Sequence, residues 1–228
     1  MTTKTDIVNL LERYLKSQLL SDDAIRRIVN EDLEYLLNWE LQPSSEDDLS
    51  QAQAVIAFSF GYGPEKPGVS NAKEHPYHPL LHKPGKSNIA MTHVIEPFLK
   101  AGKAVFAQWE VAEALSEVCG IRIKDDYIAR PDKQYLGTSG VVRKFLDKGL
   151  KSDDYKKIIV VAHRHHTYRC LKITEKVFLD ENLQKQLLVA NNPDVYDPDS
   201  LQDWTKSLEN WVAYEVGNRF RNRFQKNM

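Results

Sequence analysis

The sequence predicts an α/β fold, a Rossmann-like three-layer sandwich with a mostly parallel sheet and helical additions at both ends. Three observations carry this expectation. Residues 54–60, 104–107 and 157–162 are short runs, apolar but for Ser59 and Lys157, as expected of strands buried on both faces. Segments with apolar residues at helical spacing alternate with them, the order that builds a parallel sheet covered by helices. A chain of 228 residues with 42% apolar and 28% charged residues can bury one sizeable core. Residues 1–228 are therefore expected to form a single domain: a helical lead-in over 1–45, an α/β core over 54–190 and a C-terminal helix over 200–228.

In the lead-in, Ile7, Leu10, Leu11, Tyr14, Leu15 and Leu19 fall at helical spacing. A second helix is expected from Ser21, with Asp22 and Asp23 at its positive end. The first strand stops at Gly61-Tyr62-Gly63-Pro64, and residues 64–86 form a long Pro-, Gly- and His-rich loop without periodicity. Ser87 is expected to cap a helix running to about Lys100, which Gly102 ends before the strand at 104–107. A helix from Gln108 or Trp109 carries Val111, Ala114, Leu115 and Val118 and ends near Gly120. A small strand can lie within 121–128, and Thr138 and Ser139 precede a helix with Val141, Val142, Phe145 and Leu146. The strand at 157–162 leads directly into His163-Arg164-His165-His166-Thr167-Tyr168-Arg169, followed by helix. Leu201, Trp204, Leu208, Trp211, Val212 and Val216 give the closing helix its apolar stripe.

Charge argues against polyanionic partners. The net charge is −1 with both signs interleaved, so no global field attracts nucleic acid or an anionic membrane. Arg219, Arg221, Arg223 and Lys226 spread around a helix and read as a solvated end. No run approaches a membrane span, and the first residues are charged throughout, so a cytoplasmic protein is expected. Cys119 and Cys170, without CxxC spacing, fit free thiols in a reducing compartment.

In parallel sheets ligands bind beyond the carboxyl ends of the strands, and this chain puts Gly61–Gly63, Gln108–Glu110 and His163–Arg169 there. His163, His166 and Arg169 recur every three residues at a helix N-terminus, an environment that favours an anion. In that arrangement His166 is the candidate acid/base and Arg169 the clamp for a carboxylate or phosphate. The plainer alternative has His166 packing and Arg169 pairing with an acid, with His165 buried against a neighbour or exposed. Gly61 and Gly63 can admit a ligand close to the backbone or simply turn the chain. Glu110 is a general base, a holder of ribose hydroxyls, or a carboxylate matched to the helix dipole. Thr138 and Ser139 are helix caps or hydroxyl donors to a bound anion. His75, His78 and His82 add imidazoles, but no HExxH or Cys-His pattern accompanies them, and no metal is expected. The chain also has no Walker or GxSxG motif.

Residues 54–178 resemble the domain of unknown function 218 family, the SanA-like and YdcF-like proteins. The first strand ending in glycine, the Glu110 position after the second strand, Thr138, and Val161, His166 and Arg169 in the last motif carry the likeness. Ala162 and His163 stand where that family has Thr-Ser, and Gly140 and Val141 where it has Glu-Asn. The resemblance implies a Rossmann-like sheet and a polar or nucleotide-like ligand, often in bacteria, and specifies no reaction. The expected function is thus binding of a small phosphorylated or nucleotide-like ligand through Gly61, Gly63, Glu110, Thr138, His163, His166 and Arg169. The alternatives are a protein-interaction module or homodimer anchored by Trp204 and Trp211, and a metal-dependent hydrolase.

Overall fold

The computed structural model describes residues 41–66, 82–131 and 136–215, together with residues 9, 12 and 13. The expected lead-in helices, His75, His78 and the basic residues at 219–226 lie outside the described residues.

Five short strands form one all-parallel sheet: β1 (Ala54–Ala57), β2 (Ala104–Gln108), β3 (Ile128–Ala129), β4 (Lys157–Val161) and β5 (Gln186–Val189). Their order is β3-β2-β1-β4-β5, which is Rossmann-like. The chain winds outward from β1 in one direction, then returns past it to wind in the other. The switch therefore falls between β1 and β4, where Ala54 pairs with Ile158 and Ala57 with Val161. β5 was not among the strands expected from the sequence.

Alternation along the strands makes the three layers. Val55, Ala57, Val105, Ala107, Ile159 and Val161 face one side. There they meet α2 (Lys86–Lys100) through Met91 and Ile95, and α3 (Trp109–Cys119) through Val111 and Leu115. Trp211 and Val212, on a helix described over 208–215, complete that layer. Ala54, Ile56, Phe106, Ile158 and Val160 face the other side. That face is covered by α4 (Thr138–Phe145) through Val141, Val142 and Phe145, and by α5 (Arg164–Asp180) through Cys170, Val177 and Phe178. A short α1 (Glu46–Gln51), capped by Ser45, precedes β1. Among the described residues no helix is long and apolar enough to cross a membrane.

Three expected helix starts are placed differently. Gly85, not Ser87, is the N-cap of α2, and Ser87 is fully buried with its hydroxyl donating to the Val195 carbonyl. The amide of Lys86 donates instead to the buried Asp197 carboxylate at 2.9 Å. Gly137 caps α4, so Thr138 is its first residue. The C-terminal helix starts at 208, not near 201, with the Ser207 hydroxyl accepting the Asn210 amide at 3.2 Å.

Beyond the end of β1 the backbone amides are satisfied by side chains. Ser59 N–H donates to Gln108 at 3.2 Å and Phe60 N–H to Asn88 at 2.9 Å, while Asn88 donates back to the Gly61 carbonyl at 2.6 Å. Gly61 has φ 77°, and a Cβ there would be driven into the hydroxyls of Thr205 and Ser200. Gly61→Ala is expected to lose about 2 kcal/mol, from the left-handed conformation plus displacement of Thr205. Urea unfolding of the variant measures it.

Candidate functional site

The carboxyl ends of β1, β2 and β4 collect polar groups that the protein interior does not satisfy. Glu110, in the first turn of α3, is 2% exposed. Its Oε1 lies 3.4 Å from Gln108 Nε2, while Oε2 has no hydrogen-bond partner among the described residues. Burial pushes its carboxyl up to about 8, against smaller opposing contributions from its own amide, Ser59 and Gln108. At pH 7 it carries its proton.

The segment after β4 builds the second group. His163 is the N-cap of α5; its Nδ1 accepts from the His165 amide at 3.3 Å, and its carbonyl accepts from the His166 and Thr167 amides. Its ring stacks on Phe60 at 4.0 Å and 9°, and its buried Nε2 lacks a hydrogen-bond partner. His165 points toward the segment after β5, with Nδ1 2.8 Å from the Tyr196 hydroxyl and 3.5 Å from Asp194 Oδ1. His166 lies near Phe60 and Trp204, and its Nδ1 is also buried without a partner. All three rings are at most 5% exposed. Burial lowers each: His163 well below the ordinary histidine range, His165 to about 4 with Asp194 opposing, and His166 to about 3 with Arg169 adding. They are neutral at pH 7.

Arg169 does not reach this cluster with a free guanidinium. It is ion-paired to Glu215, a carboxylate only 3% exposed on the helix that starts at 208. The N-terminus of α5 is likewise occupied, because the Arg164 amide donates to the Pro193 carbonyl at 2.8 Å and the next three amides to His163. The two features expected to hold an anion are thus satisfied within the chain. Thr138 is half-buried in the first turn of α4, on a helix reached through β3 at the far edge of the sheet. Gly61 packs against Thr205, and Gly63 donates to the Lys83 carbonyl at 2.8 Å. His82 forms a bridge with Glu65 and packs on Tyr62, apart from the histidines of α5.

Several participants escaped the sequence reading. Asp194, Tyr196 and Asn192 all follow β5, the strand that reading did not identify. Asn192 accepts from the Ala162 amide at 3.3 Å and donates to the Thr167 hydroxyl at 2.9 Å, tying the ends of β4 and β5 together. The signal was the polar run Asn191-Asn192-Pro193-Asp194 directly after apolar Leu187–Ala190. The His163-x-His165 spacing was also visible and carries a chemistry of its own. The expected Trp anchors are engaged internally: Trp211 is 2% exposed and packs on His165, and Trp204 lies between Phe60 and Tyr214.

No family model matches the chain, and neither a curated protein nor a solved structure matches it.

Proposed function

We propose that the chain binds a small, polar, nucleoside-like molecule beyond the carboxyl ends of β1, β2 and β4, with Glu110 as the proton-bearing group of the site. One observation carries this reading. Glu110 Oε2, His163 Nε2 and His166 Nδ1 are buried polar atoms without hydrogen-bond partners among the described residues, and all three lie at the strand ends where such sheets receive ligands. Leaving a buried polar group unsatisfied costs about 1–3 kcal/mol, so a hydrogen-bonding ligand recovers energy that folding leaves behind.

The groups favour the nucleoside-like part of a nucleotide over its phosphate. A phosphate would have to displace Glu215 from Arg169, whereas protonated Glu110 and the neutral imidazoles suit the donors and acceptors of a base or sugar. For acid/base work Glu110 is better matched than His166, since about 8 lies nearer to neutral pH than about 3. The resemblance to the domain of unknown function 218 family, read from the sequence alone, implies a polar or nucleotide-like ligand and names no reaction.

Melting temperatures measured with nucleosides, nucleotides and inorganic phosphate test the reading. Nucleosides and nucleotides are expected to raise the melting temperature of the wild type, phosphate alone to leave it unchanged, and Glu110→Ala to abolish the increase while keeping its far-ultraviolet spectrum. Phosphate acting as well as nucleotides, or Glu110→Ala responding like wild type, would contradict it. So would a wild type that responds to none of them.

A further inference from the structure

His163 and His165 follow the carboxyl end of β4, and Asp194 arrives beside them from the segment after β5. Asp194 Oδ1 lies 3.8 Å from His163 Nε2 and 3.5 Å from His165 Nδ1. Ligands about 2.1 Å from a tetrahedral ion stand about 3.4 Å apart, and the three ligand atoms, all within 4.8 Å of one another, must draw together to close on one centre. A second observation comes from His163 itself: its ring is 0% exposed, and Nε2, the atom facing Asp194, has no hydrogen-bond partner. Asp194 supplies the entrance, since its side chain is 37% exposed.

We propose that His163, His165 and Asp194 form a binding site for a divalent transition-metal ion of the zinc type. Two imidazoles and one carboxylate suit zinc and its first-row neighbours, whereas calcium and magnesium take oxygen ligands. Three protein ligands leave one position open, and the Tyr196 hydroxyl, 2.8 Å from His165 Nδ1, stands beside it. Loading has an identifiable cost. A ring ligating through Nε2 carries its proton on Nδ1, so His163 gives up its 3.3 Å bond from the His165 amide, and Tyr196 releases His165. Both adjustments fall in the first turn of α5 and the segment after β5. This departs from the metal-free expectation drawn from the sequence; it shares His163 Nε2 with the nucleoside-like site and adds His165 and Asp194 in place of Glu110 and His166.

The test uses untagged, chelator-stripped protein titrated with Co2+ and then Zn2+. One equivalent of cobalt is expected to give the intense visible absorption of a four-coordinate ion, and zinc to remove it. Asp194→Ala, at a partly exposed position, is expected to weaken cobalt binding by on the order of tenfold or more with an unchanged far-ultraviolet spectrum. Substoichiometric binding, a six-coordinate spectrum, or wild-type affinity in Asp194→Ala overturns the proposal. No organic compound enters the measurement, so its failure leaves the nucleoside-like reading to stand or fall by its own melting experiment.

Discussion

Phe60→Ala is expected to destabilise the protein by about 4 kcal/mol, the range for removing a large aromatic side chain from a core. Phe60 is 0% exposed, and its ring joins what three different parts of the chain bring together. It stacks on His163 at 4.0 Å, meets Trp204 edge-on at 5.0 Å and Tyr196 at 5.7 Å, and lies 5.8 Å from His166. Truncation leaves a cavity bordered by imidazoles, and it also loosens the segment after β5. Phe60→Leu, which retains much of the volume, is expected to lose distinctly less. Urea unfolding followed by tryptophan fluorescence measures both, and a Phe60→Ala loss below about 1 kcal/mol would show that the ring does not hold this end of the sheet together.

Glu110→Gln is expected to stabilise the protein, increasingly so as pH rises. The folded carboxyl is raised to about 8 from an ordinary 4.5, so the folded state binds more protons than the unfolded state between those values. Its contribution is therefore fully present below pH 4.5 and is lost as pH rises through 8. At about 1.4 kcal/mol per pH unit, the full loss is about 5 kcal/mol. Glutamine has no charge to bury and escapes the loss. Unfolding free energies at pH 4.5 and pH 9 for both proteins give the result directly. A difference between them that does not change with pH would mean that Glu110 ionises freely where it sits. The stability forfeited to a buried acid is also what a proton-bearing binding site requires.

The layers of this fold were legible because they rest on local pattern. The apolar runs at 54–57, 104–107 and 158–161 have no polar interruption, and each lies in one of the three inner strands. β5 escaped because Gln186–Val189 is short and begins with an exposed residue. Without β5, the polar residues that follow it had no evident place, so Asp194 and Tyr196 were missed although both approach His165. The cap at Ser87 failed for a similar reason: the group that satisfies the start of α2 is Asp197, far away in sequence. Leu201 and Trp204 keep helical phase with Trp211, yet the 200–205 segment bends to meet Gly61 and does not form an α-helix there. Arg169 shows the limit of motif reading. Its spacing from His166 suggests an anion clamp, while Glu215, which pairs with it, is visible only once the chain has folded back.

The central position of β1 also governs the timing of assembly. Ala54 meets Ala104 on one side and Ile158 on the other, so the first strand made cannot be flanked until residue 161 is available. At the ribosome, about a hundred residues take roughly 5–20 s to follow it. Through that interval a fully apolar segment has at most one of its two neighbours, β2. Such distant pairings slow folding and leave the nascent protein open to aggregation, so its yield should rise when chaperones are abundant or translation is hastened between 54 and 161.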